Sequence, residues 1–535
     1  SIIAIRSPVG TGKTNAVAEM QQLDPMRLLV TTFRQAQVPQ LKNDKFANVK
    51  GIVAYNELDA KNARLKLDNT KTAIICQAES LHRIKWSKFK ETPTRCLIDE
   101  AEQFRNQFTS STFMKQPTSQ RSWKTFKQIV KYSKSVILMD ANLTPETIKW
   151  IQDIRTFNSQ DKSARAAIFI NEYINPLVRK LTVTDYPVDI MKAVVRGMHN
   201  GKRNYVACNG SIAKIDAYAE LMRNATPKGE PKKNVLVIHR ETLADDNVKR
   251  ALTDINAEWG NYDGVIVSPS VQSGLSYDIK DKFDNVYGMF SNFTSSPYDC
   301  LQMLGRIRHP IENGIMVSLS DTNCSIGPTN KRDILTSLKA KTGHIWEIQK
   351  GLSNITDYEI NDSGSHQFVH NDYFNMWMNN TIKQNKQYWE FSKDFMTAQR
   401  LAGFKIKYVK GMDAELRKTY NKKIKLISGI QKTDNAEMLS NAISISDIEI
   451  KRLEEKLNAG KPISKTETKQ LRRMAIINTY ELDEKTLTED NKVNWFEKFG
   501  DKKVRYNYRN QKKVFGYPNF DDLLSYVKTQ EIKKY

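Results

Sequence analysis

The sequence predicts an α/β fold, with two lobes that are each a parallel sheet covered by helices, followed by a mainly helical C-terminal region. Three observations predict it. From residue 1 to about 320, short apolar β-branched runs alternate with stretches of helical character, the pattern of parallel strands joined by crossover helices. An opening strand runs into a glycine-rich loop and then a helix, and a later strand ends in two adjacent carboxylates. After about residue 330 the β-branched runs give way to long polar stretches rich in Lys, Asn and Gln. A length of 535 residues exceeds what one hydrophobic core usually serves, which agrees with several domains.

The first lobe, residues 1–165, is built on Ile2-Ile3-Ala4-Ile5, Leu28-Leu29-Val30, Ala73-Ile74-Ile75-Cys76, Cys96-Leu97-Ile98 and Val136-Ile137-Leu138-Met139. Such continuous apolar runs suit strands buried on both faces. The second lobe, 175–330, repeats the pattern with Asn204 to Cys208, Val235 to Ile238, Gly264 to Val267 and Val286 to Met289. Residues 155–180 show no clear periodicity and are expected to connect the lobes. In the third region, 331–535, Ser446-Asp447-Ile448-Glu449 and Ser464-Lys465-Thr466-Glu467 each fit a capping box, with Gly460 and Pro462 as the stop between them, which predicts an αα-hairpin.

The formal net charge of +23 favours a polyanionic partner, and +11 of it falls after residue 330. No apolar run has membrane-spanning length, so nucleic acid is preferred over a membrane surface. Without a charged segment leading into an apolar core at the start, no secretory signal is expected, and the reading is a cell interior: bacterial or host cytoplasm, or the nucleus for a virus of eukaryotes. Cys76, Cys96, Cys208, Cys300 and Cys324 are too scattered for a zinc site and are expected to be reduced thiols.

The loop Ser7-Pro8-Val9-Gly10-Thr11-Gly12-Lys13-Thr14 has the form of a phosphate-binding loop. Gly10 and Gly12 allow the turn that points N–H groups at phosphates, Lys13 reaches the β- and γ-phosphates, and the Thr14 hydroxyl ligates Mg²⁺. Ser7 stands where the pattern usually has a glycine, and Thr11 completes the cradle. In Cys96-Leu97-Ile98-Asp99-Glu100-Ala101-Glu102, Asp99 is expected to hold the Mg²⁺ shell and Glu100 to act as general base. In Gln302-Met303-Leu304-Gly305-Arg306-Ile307-Arg308, the four-residue spacing predicts Gln302 and Arg306 on one helical face. An arginine supplied across a cleft makes hydrolysis depend on closure, and either Arg306 or Arg308 can fill that role.

Asp99 to Glu102 and Gln302 to Arg308 resemble the D-E-A-x box and the sixth motif of superfamily 2 helicases. With Arg6 to Thr14, Thr31-Thr32-Phe33-Arg34, Cys76 to Arg83 and Met139-Asp140-Ala141-Asn142-Leu143, the chain resembles the herpesvirus-type replication-origin-binding helicases and their phage and plasmid relatives, over residues 1 to about 320. The resemblance implies two RecA-like lobes, binding of ATP with Mg²⁺, and ATP-driven movement on single-stranded or forked DNA during replication, beside other replication proteins. It also implies that Thr31 and Arg34 grip a DNA phosphate, that Ser211 is their counterpart in the second lobe, and that Gly274 touches both nucleotide and strand. Two rival readings share the ATP site: a translocase of a defence or packaging complex that separates no strands, and an initiator that uses ATP as a switch.

Trp495-Phe496 and the segment Lys502 to Tyr517 interleave cations with aromatic rings, which suits single strands as well as a packed aromatic face. Because every motif precedes residue 330, a chain cut there is expected to keep its ATP site folded.

Overall fold

The β-branched runs form the centre of two sheets in the computed structural model, which describes residues 1–8, 11–32, 38, 41–57, 72–84, 94–156, 165–173, 179–243, 245–269, 276–292, 294–321, 327–338, 344–356, 358–360, 366–369, 371–411, 414–458, 463–480, 482–488 and 491–500. The first sheet comprises β1 (Ile2–Arg6), β2 (Arg27–Thr32), β3 (Ile52–Ala54), β4 (Ala73–Gln77), β5 (Thr94–Asp99), β6 (Ser135–Asp140) and β7 (Ala166–Ile170). They lie in the order β3-β4-β2-β5-β6-β1-β7, all parallel. Every residue of β5 and β6 is buried, because helices cover both faces. This order has one consequence for function. β6 lies between β5 and β1, so the carboxyl ends of all three are neighbours, with Asp99 opposite Met139 and Asp140 opposite Arg6.

The second sheet comprises β8 (Lys180–Thr184), β9 (Asn204–Cys208), β10 (Val235–Ile238), β11 (Gly264–Val267), β12 (Asn285–Ser291) and β13 (Gly314–Ser320). A small antiparallel hairpin, β14 (Tyr358–Ile360) and β15 (His366–Phe368), follows, and β16 (Lys405–Tyr408) then returns to the second sheet. Its order is β10-β11-β9-β12-β13-β8-β16, again all parallel. Two RecA-like lobes with a mainly helical C-terminal region are therefore the architecture.

Two expectations change. The stretch 155–180 is more than a connection: it supplies β7 as the edge strand beside β1 and begins β8. β7 was hard to read because its apolar residues are not core, with Ile168, Phe169 and Ile170 each more than half exposed. Residues after 330 do not stand apart from the lobes either. Helix Asp372–Trp389 buries Tyr373, Phe374 and Trp377 in the first lobe's core, where Tyr373 packs on Trp123 at 5.4 Å and its hydroxyl donates to the Phe108 carbonyl at 2.7 Å. Helix Phe391–Leu401 buries Phe391 and Phe395 in the second lobe's core, and β16 closes that lobe's sheet. A cut near residue 330 would open both cores, so the expectation that the site survives it is withdrawn.

Further on, the long helix Ala414–Ser440 packs Ile424 against the second lobe and joins helices Lys465–Tyr480 and Lys492–Phe499 around Leu439, Ile476, Tyr480, Phe496 and Phe499. The αα-hairpin is present. Its helices Asp447–Asn458 and Lys465–Tyr480 start where the Ser446 and Ser464 hydroxyls accept the amides of Glu449 and Glu467 at 3.3 and 3.1 Å. Phe496 packs inward, so the aromatic side of Trp495-Phe496 is core, and Lys502 to Tyr517 lies outside the described residues. Cys76, Cys96, Cys208 and Cys300 are buried free thiols, as the scattered spacing suggests. Among the described residues, no helix is long and apolar enough to cross a membrane.

Candidate active site

The strand β1 delivers the chain to Ser7, and helix α1 (Lys13–Leu23) begins six residues later. Between them Gly12 takes φ 79°, a left-handed conformation that glycine adopts without steric cost, and its carbonyl accepts the Ala16 amide at 3.0 Å to open the helix. Ser7 is buried and its hydroxyl lies 2.5 Å from that of Thr11, which donates to the Pro8 carbonyl at 2.8 Å. Ser7 thus adds hydrogen bonds that the usual glycine lacks. Lys13 folds its ammonium back onto the loop, donating to the carbonyls of Ser7 at 2.6 Å and Pro8 at 2.9 Å. Thr14 follows, half-buried, in the first turn of α1. Gly10 lies outside the described residues.

Beside this loop β5 ends in Asp99, and Glu100 turns the chain into helix α2 (Ala101–Phe108). Glu100 holds φ 53° and ψ 55°, a left-handed conformation that costs a non-glycine residue roughly 1–3 kcal/mol and persists where the surroundings enforce it. At the end of β6, Asp140 accepts the amides of Glu102 at 3.0 Å and Asn142 at 2.7 Å, which locks the start of α2 to the β6 turn. Burial raises the carboxyls of Asp99, Glu100 and Asp140 above the usual range, and each also feels another of the group. Burial likewise lowers the Lys13 ammonium, opposed by Glu100, Asp140 and Asp99. Three acids and one base therefore share a desolvated pocket at the ends of adjacent strands, the crevice where open α/β sheets place their ligands.

The second lobe closes this pocket with helix α3 (Pro297–Leu304), whose start is fixed by a capping box between Ser296 and Asp299. Gln302, buried on α3, donates from Nε2 to Glu100 Oε2 at 3.1 Å, and one turn earlier Asp299 accepts from Gln103 of α2. Here the structure corrects the expected single helical face. α3 ends at Leu304, and Arg306 and Arg308 follow in the turn beyond it, where Ile307 bridges Tyr277. Arg306 is buried, with its charge felt by Glu100 and Tyr205. Arg308 is half-buried, sits 3.9 Å from Asp278, and its charge is felt by Lys13.

Of the residues expected to touch DNA, Thr31 is buried and its hydroxyl donates to the Leu97 carbonyl at 3.1 Å inside the sheet. That side chain is turned away from any phosphate, a correction to its expected role. Ser211 is exposed and caps the helix Ile212–Arg223, accepting the Lys214 amide at 3.4 Å. Arg34 and Gly274 lie outside the described residues. Two residues near the site carry no signal in the sequence. Asn171, past β7, donates to the Ser7 hydroxyl at 3.0 Å, and Lys383 pairs with Glu102 at 2.6 Å. Only the fold brings either to the pocket.

An Acanthamoeba polyphaga mimivirus protein provisionally named helicase R8 is 26% identical over 342 residues, covering 61% of this chain and 30% of its own length. A second mimivirus protein, provisionally named a replication origin-binding protein, is 25% identical over 340 residues, covering 61% of this chain and 38% of its own. The chain thus spans about a third of the length of these curated relatives. The solved structure of Mycobacterium smegmatis helicase Lhr bound to ssDNA and AMP-PNP aligns with a TM-score of 0.42 at 13% identity, covering 71% of this chain and 51% of that one. A family model described as origin of replication binding protein matches residues 1–349, which takes in both lobes and every motif of the pocket, and the chain belongs to that family.

Proposed function

We propose that this chain is the motor of a DNA helicase that hydrolyses ATP and acts at replication origins. One observation carries the reading: a strand-end carboxylate of the first lobe, Glu100, is hydrogen-bonded to Gln302 of the second, beside the loop that holds Lys13. A site shared between lobes makes turnover depend on closure, which is what a motor needs. Lys13 and the loop amides bind the phosphates. Glu100 takes a proton from water as the water oxygen bonds to the γ-phosphorus, and the bond to the bridging oxygen breaks to release ADP. Gln302 orients that water, since its Oε1 is buried without a hydrogen bond among the described residues.

The residues suit Mg²⁺. Buried carboxyls raised by desolvation are relieved by a nearby cation, and Asp99 with the Thr14 hydroxyl offers the hard oxygen donors Mg²⁺ takes beside substrate phosphates. When bound, the ion supplies charge neutralisation at the phosphates. For the second lobe, Arg308 is the better finger, because its charge is felt by Lys13 and it feels Glu100 as well, while the charge of Arg306 is felt by Glu100.

DNA is the assigned partner on charge and family, with Ser211 at its helix N-terminus as one phosphate contact. ATP turnover measured with single-stranded, duplex and forked DNA, together with displacement of a labelled strand, tests the reading. Stimulation by single strands with strand displacement is expected. Stimulation without displacement would reassign the chain to a translocase, and turnover indifferent to DNA would refute the motor.

A further inference from the structure

Lys383 lies outside every motif of the pocket, yet it contacts the D-E-A-x box directly. Helix α4 (Asp372–Trp389) anchors its first turns in the first lobe's core through Tyr373, Phe374 and Trp377. About three turns from Tyr373, Lys383 places its ammonium 2.6 Å from Glu102 Oε2 and 3.4 Å from the Thr144 hydroxyl. Glu102 is nearly enclosed, with its side chain 10% exposed. Its other oxygen accepts from the Thr144 amide at 2.8 Å and hydroxyl at 2.7 Å, and its own amide donates to Asp140. The Lys383 cation is thus two links from the acid cluster.

The same helix leads to the other lobe. At Glu390 the chain turns into helix α5 (Phe391–Leu401), which buries Phe391 and Phe395 in the second lobe's core and leads on to β16. Asn292, just past β12, donates to the Tyr388 carbonyl at 3.2 Å near the turn. The α4–α5 pair is therefore a strap with one end in each lobe, and the ion pair lies on the first-lobe half of it.

We propose that Lys383 is a positioning residue for ATP hydrolysis: through Glu102 it fixes the start of α2, where Glu100 sits, and ties that geometry to the spacing of the lobes. The inference rests on the hydrolytic reading of the pocket. Glu102 needs a cation in this enclosed place, because a buried charge stripped of its partner pulls its surroundings out of register.

The test is steady-state ATPase of the full chain with single-stranded DNA, comparing wild type with Lys383→Met, Lys383→Arg, Glu102→Gln and the Glu102→Gln/Lys383→Met double variant. Displacement of catalytic groups by a fraction of an ångström is expected to lower kcat of Lys383→Met by roughly 10- to 100-fold. Its KM for ATP should change by less than about 3-fold, since the phosphate loop is untouched. Lys383→Arg should recover most of the rate. The double variant should be no slower than Glu102→Gln, because both changes act through one contact. If Lys383→Met does not fold, Lys383→Gln, which keeps a donor and loses the charge, is read in the same way. Wild-type kcat in the Met or Gln variant, or losses that multiply in the double variant, would overturn the inference. A wild-type chain without ATPase would instead overturn the hydrolytic reading beneath it.

Discussion

At the scale of the residue, the pocket places like charges together and lets its partners resolve them. Arg308 has its charge felt by Lys13 and itself feels Glu100. Arg308→Ala is therefore expected to bind ATP and lose roughly 10³-fold or more in turnover, as loss of an arginine finger does. Arg306→Ala should lose less, and the reverse order in a single-turnover assay would exchange the two roles. Asp140 gives a prediction on pH. Burial first, then the charges of Glu100 and Glu102, raise its carboxyl, against two N–H donors that lower it. A carboxyl raised in the fold ionises more readily in the unfolded chain, so its stabilising contribution is present at low pH and is lost as pH rises through the folded value. Asp140→Asn should therefore compare more favourably with wild type at about pH 8 than at about pH 5 in thermal melts without nucleotide. A difference independent of pH, or of opposite sign, would contradict the shift. Residues of this kind were legible where local chemistry dictates them: a left-handed glycine before Lys13, and acids at the end of an apolar strand. Thr31 was not, because a threonine at a strand end reads the same whether it faces water or the Leu97 carbonyl.

At the scale of the element, the sheets were legible wherever strands are buried on both faces. Central strands β5, β6 and β9 have no solvent side, so the sequence there is one apolar run. Edge strands escaped for the opposite reason. β7 carries exposed apolar residues, and β16 is four residues of alternating lysine that no local rule separates from a polar helix. The sixth motif shows a subtler limit, since the four-residue spacing puts Gln302 and Arg306 on one helical face only if the helix continues, and α3 ends at Leu304. The strap gives the stability prediction here. Trp377 is buried in the first lobe's core, so Trp377→Ala should cost about 3–5 kcal/mol, a large share of the roughly 5–15 kcal/mol a domain has. Denaturant titration measures this. A change below about 1 kcal/mol would mean that α4 only rests on the lobe, as an exposed surface substitution does.

At the scale of the whole molecule, charge and architecture point the same way. The chain builds two parallel sheets, α2 and α3 meet across the gap through Gln103 with Asp299 and Glu100 with Gln302, and the strap returns the chain to both lobes. None of this long-range closure was legible in the sequence, because the residues that make it are 196 and 202 positions apart and follow no period. The acid cluster costs stability in the folded chain, a cost that functional sites commonly carry and that nucleotide with its cation would offset. On the proposed function, Glu100 is the base of an ATP site completed by both lobes. The most direct test is ATP binding and turnover by Glu100→Gln beside wild type, both with single-stranded DNA. The prediction is wild-type nucleotide affinity with turnover reduced by at least about 10²-fold, the range of a lost general base. A Glu100→Gln chain that turns over ATP at the wild-type rate would contradict it.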